Sequence, residues 1–262
     1  MEVLKVLSDY YGSYDEDNRL CSRHGSVEFL TTMRYVEKYL QPGMRVLEIG
    51  AATGRYSHTL ARQGYRVDAV ELVQHNINIF KDNMQPGEDV RIFQGNAKNL
   101  EMLGDNTYDV TLLLGPLYHL FTIPEQLQAL REAIRVTKKG GVIFAAYCGN
   151  EATMIQYCFG RGMIKEQRYR NLVDPVTFKA SSDPAELFQL YRKEDIDRLM
   201  RVFPVTRLHY VGTDMATNYM RQTIDEMDNE LFDLYLRYHF AICERDDLVG
   251  ASHHILDIFR KD

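Results

Sequence analysis

The residues best suited to chemistry sit in one short run, Val46-Leu47-Glu48-Ile49-Gly50-Ala51-Ala52-Thr53-Gly54. An apolar strand here runs into small residues and then into a helix. Small residues let the backbone approach a bound molecule closely, and the first N–H groups of a helix are free to donate. Such a turn either seats a ligand or is simply a tight strand-to-helix turn. A dinucleotide fingerprint would read G-x-G-x-x-G. The order here is Gly50, Ala52, Gly54, so that fingerprint fails. A second candidate closes the next apolar run, Asp68-Ala69-Val70-Glu71. A carboxylate roughly 20 residues beyond such a turn can accept both hydroxyls of a ribose. Taken alone Glu71 reads as a solvated strand end, and with the turn in front of it as a ligand.

Metal chemistry is not indicated. His253 and His254 are adjacent, so on a strand they point to opposite faces and do not share an ion. His24, His58, His75, His209 and His239 show no ligand spacing, and no metal is expected. The cysteines Cys21, Cys148, Cys158 and Cys243 form no C-x-x-C pair, so neither a zinc knuckle nor a redox motif is signalled.

Positioning these residues requires alternating strands and helices. Met1 to Gln41 reads as helical, with an aromatic cluster at Tyr10-Tyr11-Gly12-Ser13-Tyr14, and it stops at Gln41-Pro42-Gly43. Strands follow at Met44 to Ile49, Tyr65 to Glu71, Val90 to Gln94, Tyr108 to Leu114 and Val142 to Tyr147. Helices fall between them at Tyr56 to Gln63, Val73 to Met84 and Pro124 to Val136, the last with Thr122 as N-cap. Beyond an irregular stretch, Lys193 to Val202 reads as a helix, Val205 to Val211 as a strand, Thr223 to His239 as one helix and His254 to Phe259 as the final strand. This alternation predicts an α/β fold with parallel βαβ units and a doubly wound sheet. Strand C-termini then share one edge, where ligands bind. The chain divides into an N-terminal helical cap (1–41), a cofactor-binding core (42–150), a lid insertion (151–192) and a C-terminal part of the core (193–262) with a helical insertion at 214–250.

The bulk composition agrees. In 262 residues, 45% are hydrophobic and 26% charged, enough apolar material for a packed core. The net charge of −6 argues against a nucleic-acid partner. No apolar run approaches the roughly 20 residues that span a bilayer, and the N-terminus lacks a signal-peptide pattern. A cytoplasmic protein with free thiols and no membrane partner is expected.

Glu48-x-Gly50-x-Ala52-x-Gly54 resembles the first motif of the class I (Rossmann-like) S-adenosylmethionine-dependent methyltransferases, an acidic residue followed by G-x-G-x-G. Glu71 falls where that family holds the ribose. Gly95-Asn96-Ala97 is similar to its adenine-side loop, and Asp109 to Leu114 to its fourth motif. Lys138-Lys139-Gly140-Gly141-Val142 is similar to the turn before its fifth strand, and His253 to Lys261 to its antiparallel sheet edge. Leu114-Gly115-Pro116-Leu117-Tyr118-His119-Leu120 resembles a subgroup of small bacterial members of unsettled substrate. Two positions depart from the pattern. Ala52 replaces the middle glycine, which is tolerable at negative φ. Asn96 replaces the usual aspartate, and its amide can both accept from and donate to an adenine edge.

The resemblance implies a seven-stranded, mostly parallel sheet with an antiparallel last strand, plus N-terminal helices and a lid. It implies S-adenosylmethionine as cofactor and in-line methyl transfer to an acceptor, expected to be a small molecule. The implied cofactor residues are Glu48, Gly50, Ala51, Ala52 and Gly54, then Glu71 and Leu72 at the ribose, Asn96 and Ala97 at adenine, and the Leu114 carbonyl at the methionine ammonium. Arg19 and Tyr11 are candidates for the methionine carboxylate. Tyr118 and His119 follow the fourth strand beside the expected methyl, with His119 a candidate general base. Tyr147, Tyr219 and Arg221 are candidates for the acceptor. Two other readings share the fold: an S-adenosylmethionine-binding protein without catalysis, and an NAD(P)-dependent oxidoreductase.

Overall fold

The computed structural model describes residues 2–262. Two helices lead, α1 (Glu2–Ser13) and α2 (Arg23–Tyr39), the second opened by Ser22, whose side chain accepts from the Gly25 N–H. The aromatic cluster belongs to the end of α1 and the turn after it. Then come β1 (Arg45–Ile49), α3 (Arg55–Arg62), β2 (Arg66–Glu71), α4 (Gln74–Asp82), β3 (Val90–Gln94), β4 (Tyr108–Leu113), α5 (Ile123–Val136) and β5 (Thr137–Gly149). The irregular stretch holds α6 (Asn150–Thr153) and α7 (Gln167–Asn171), followed by β6 (Leu190–Tyr191), α8 (Lys193–Met200) and β7 (Val205–Gly212). The chain closes with α9 (Arg221–Asp225), α10 (Asn229–Ile242) and β8 (His254–Lys261).

The strands form one sheet in the order β3-β2-β1-β4-β5-β8-β7, with β6 paired to β5 outside that path. β1 to β5 are parallel to one another, and β8 runs antiparallel between β5 and β7. The doubly wound sheet with an antiparallel last strand is therefore as expected. The eighth strand is not: β6 adds only Leu190–Tyr191 against Cys148–Gly149, too short to carry a period. β5 also begins earlier than its apolar run, at Thr137.

Alternation along the strands splits the core into two layers. Leu47, Ile49, Ile143 and Ala145 join the layer that packs on α5 and α8, whereas Val46, Val142 and Phe144 join the layer that packs on α2 and α3. One expected helix is two. Asp228 adopts an extended backbone (φ −69, ψ 175), and its side chain accepts from the Leu231 N–H. The acidic run therefore caps α10 instead of lying inside a helix from Thr223. Among the described residues, no helix is long and apolar enough to cross a membrane.

Candidate functional site

The turn after β1 is pinned from both sides. The Gly50 and Ala51 N–H groups both donate to the Val70 carbonyl of β2, at 2.8 and 3.1 Å. Gly50 has φ +79 and Gly54 φ +90. A Cβ on Gly50 would meet Pro116 at 2.6 Å, and one on Gly54 would meet His58 and Phe80 at 2.6 Å. Glycine is required at both positions for space as well as for backbone conformation. Ala52 also has positive φ, +46, so the negative φ expected for it does not hold, and its methyl sits in a strained left-handed turn.

Glu48 is buried, and its carboxylate accepts from Ser57, from the N–H at 2.9 Å and also from the hydroxyl. It thus anchors the start of α3 below the turn. Burial pushes its carboxyl up to about 8, against the two bonds from Ser57. Glu71 is also buried and raised by burial. Its two oxygens accept from the Ala52 N–H (2.9 Å) and the Val73 N–H (2.8 Å), which ties the ends of β1 and β2 together. The Asn76 side chain and the Leu72 backbone also hydrogen-bond this carboxylate.

These groups line a cavity of about 350 Å³ at the C-terminal edge of the sheet. Glu48, Gly50, Ala51, Ala52, Glu71, Leu72, Asn96, Ala97, Leu114, Tyr118 and His119 all line it; Gly54, expected with them, does not, and lies against His58 and Phe80 instead. Asn96 Oδ1 accepts from the Lys98 N–H at 3.0 Å, which shapes its loop. The Leu114 carbonyl accepts from the Tyr118 hydroxyl at 2.8 Å and retains one lone pair. Asn76, on α4, lines the same cavity, and its buried Oδ1 has no partner among the described residues. An orphaned acceptor beside Glu71 fits a ligand that brings hydroxyls, as a ribose does.

His119 is a clasp. Its Nδ1 lies 2.9 Å from the Leu187 carbonyl, which can only accept, so Nδ1 carries the proton. Nε2 then accepts from the Tyr11 hydroxyl at 3.0 Å. Burial lowers its pKa to about 4, so at neutral pH the ring is uncharged and a weak base. His119 thereby joins α1 and the segment before β6 over the cavity mouth. Arg19 lines the cavity but is already paired, with Glu16 at 2.8 Å and with Glu28 at 2.8 Å. Arg19, a candidate for the methionine carboxylate, thus faces the cavity with two acids already on its guanidinium.

A second cavity of about 740 Å³ adjoins the first. Tyr11, Glu16, Arg19 and Tyr118 line both. Its walls carry Tyr10, Tyr14, Tyr157, Tyr169 and Phe188, with Cys148, Arg161 and Arg221. Arg221, expected at the acceptor, is on this wall, where its Nε donates to Asn218 Oδ1 at 2.8 Å. Tyr147 and Tyr219 are not. Tyr147 is fully buried against Tyr191, because odd positions of β5 face the α5 layer while Cys148 faces the chamber. Tyr219 donates to the Ala251 carbonyl at 2.7 Å and packs on His253, behind the chamber wall.

Sequence reasoning missed the chamber's polar floor. Glu28, Asp214 and His254 place ligand-type atoms within 4.8 Å of one another. His254 Nδ1 is 2.7 Å from Asp214 Oδ2 and 3.3 Å from Glu28 Oε2. Asp214 also accepts from the Ser252 hydroxyl (2.6 Å), the His253 N–H (3.0 Å) and the His254 N–H (3.2 Å), and from the Asn218 amide. Burial opposes its charge, but the adjoining His254 and these donors hold its carboxyl well below the usual range. With Arg19 on Glu28 and five donors on Asp214, the cluster is satisfied by the protein's own groups. The available signal was positional: Asp214 and His254 each sit at a strand end on the edge where Gly50 lies.

The parallel sheet, the strand-end turn and the buried carboxylates define an α/β fold with a cavity at the sheet edge where ligands of such folds bind. Residues 46–141 match the family model described as a methyltransferase domain. The chain is 28% identical over 147 residues to a demethylmenaquinone methyltransferase of Lysinibacillus sphaericus, covering 54% of this chain and 58% of that relative. It is 25% identical over 196 residues to a ubiquinone biosynthesis O-methyltransferase of Pseudomonas entomophila, covering 72% of this chain and 82% of the relative. A solved S-adenosylmethionine-dependent methyltransferase from Thermotoga maritima shares the fold at a TM-score of 0.59, with 18% identity, over 99% of this chain and 100% of that one. The methyltransferase-domain match and the shared fold support a class I, Rossmann-like S-adenosylmethionine-dependent methyltransferase.

Proposed function

We propose that this protein transfers the methyl group of S-adenosylmethionine to a small organic acceptor held in the 740 Å³ chamber. The observation that carries the reading is the wall common to the two cavities. Tyr11, Glu16, Arg19 and Tyr118 face both, so a ligand in the smaller cavity has a second compartment beside it. A protein that only sensed the cofactor would need no such compartment. The cofactor supplies an electrophilic methyl on a sulfonium sulfur. Glu71 and Asn76 would accept from its ribose, Asn96 and Ala97 would flank adenine, and the free lone pair of Leu114 would accept from its ammonium. The chain's main contribution is in-line positioning, which can account for much of such a barrier. The names of the quinone-pathway relatives support a small-molecule acceptor.

Labelled S-adenosylmethionine incubated with the protein and fractionated metabolites tests the proposal. Label should appear in one or a few low-molecular-mass fractions. Transfer to protein or nucleic acid alone, or to nothing while the cofactor still binds, would contradict it.

A further inference from the structure

His254 is the only titratable side chain on the chamber floor with one ring nitrogen fully committed and the other uncommitted among the described residues. Nδ1 faces Asp214 and Glu28, which as carboxylates accept only, so Nδ1 bears the proton. Nε2 takes no hydrogen bond from the described residues. The side chain is 28% exposed, and it lines the larger cavity. Asp214 is itself held by five donors, so the imidazole is fixed in tautomer and orientation. This is the arrangement by which a carboxylate prepares a histidine to take a proton. His119, by contrast, spends both nitrogens on the clasp.

We infer that His254 is the general base for the acceptor, with Asp214 its positioning residue, and that the acceptor is an aromatic hydroxyl compound. The inference rests on the methyltransferase reading above. Tyr10, Tyr14, Tyr157, Tyr169 and Phe188 give the chamber flat apolar faces suited to a ring. A neutral hydroxyl, unlike an amine or thiolate, is a poor nucleophile until its proton leaves. In the step, the hydroxyl oxygen bonds to the methyl carbon, and the carbon–sulfur bond breaks with its electron pair left on sulfur. The hydroxyl proton passes to Nε2 of His254. The sulfonium charge is lost and an imidazolium charge appears, so charge balances. Glu28 and Asp214 stabilise that imidazolium. Burial opposes it, but the two carboxylates more than offset burial and raise the His254 pKa; Arg19, the cross-strand Cys148 of β5, the neighbouring His253 and, on the chamber wall, Arg221 are further charged or titratable groups on this side.

The test needs no turnover. 4-Nitrophenol, whose ionised form absorbs visibly, is titrated into protein saturated with S-adenosylhomocysteine, at a pH below the phenol's own pKa. The bound phenol should ionise, its apparent pKa falling by about one unit or more, a tenfold gain in the ionised fraction. His254→Asn places an amide N–H where Nδ1 donates to Asp214 but removes Nε2. It should bind S-adenosylhomocysteine within threefold of the parent and lose the ionisation. Binding of the phenol to the parent protein without ionisation, no binding of it at all, or undiminished ionisation in His254→Asn would each overturn the inference. The first two need no variant. Failure of S-adenosylhomocysteine itself to bind would instead strike the reading on which the inference stands.

Discussion

The two cavities share one sheet edge but are made differently. The smaller is built from backbone and short segments: the turn at Gly50 to Thr53, the strand end at Glu71 and Leu72, the loop at Asn96 and Ala97, and Leu114. Its critical groups lie within a few residues of a strand terminus, and glycine conformation shapes it. The larger is built from side chains brought from α1, α2, the irregular segment after β5, the turn after β7 and the start of β8. The comparison teaches that a cofactor seat is a local device, repeated at strand ends, whereas an acceptor chamber is a tertiary one. The first can be kept while the second is remodelled.

The sharpest way to break this contrast is at the turn. Gly54→Ala puts a methyl at φ +90 and 2.6 Å from His58 and Phe80. Left-handed strain and overpacking together should cost about 2–4 kcal/mol in urea unfolding. A cost below about 0.5 kcal/mol would mean that Gly54 does not fix the turn behind this cavity.

A smaller effect is expected at Glu71. Its removal takes away a buried charged acceptor, so Glu71→Ala should weaken S-adenosylhomocysteine about 10- to 100-fold by calorimetry. 4-Nitrophenol binding in the larger chamber should change less than threefold. Equal losses at both sites would show that the cavities are not separable.

Glu48 offers the mildest probe, through pH. Its carboxyl is raised from 4.5 to about 8 in the folded chain. Between those values the folded state binds more protons than the unfolded one, so stability falls as pH rises through that window. The slope from this group is at most about 1.4 kcal/mol per pH unit. Glu48→Gln should flatten the unfolding curve between pH 5 and pH 8, roughly, and an unchanged slope would place the proton elsewhere.

The same contrast explains what could be read from sequence. β1 to β5, α3 to α5 and the residues of the smaller cavity were legible because buried parallel strands show as apolar runs, and their turns show as glycine and small residues. Tyr147 was misplaced because a strand end exposes alternate residues, and the parity that favours Cys148 depends on which layer α5 covers. The break before α10 turned on Asp228 acting as a cap, where the acidic run reads equally as a first helical turn. Glu28, Asp214 and His254 are far apart in the chain, and no spacing joins them. Only the sheet order, with β8 inserted between β5 and β7, brings them together. Arg19 showed its charge in sequence but not its partners, Glu16 and Glu28.

Everything proposed for the larger chamber depends on S-adenosylmethionine seating in the smaller cavity. Calorimetric titration of the protein with S-adenosylhomocysteine and, separately, with NAD tests it most directly. Saturable binding of S-adenosylhomocysteine, weakened by Glu71→Ala, and no saturable binding of NAD are expected. Binding of NAD without binding of S-adenosylhomocysteine would contradict it.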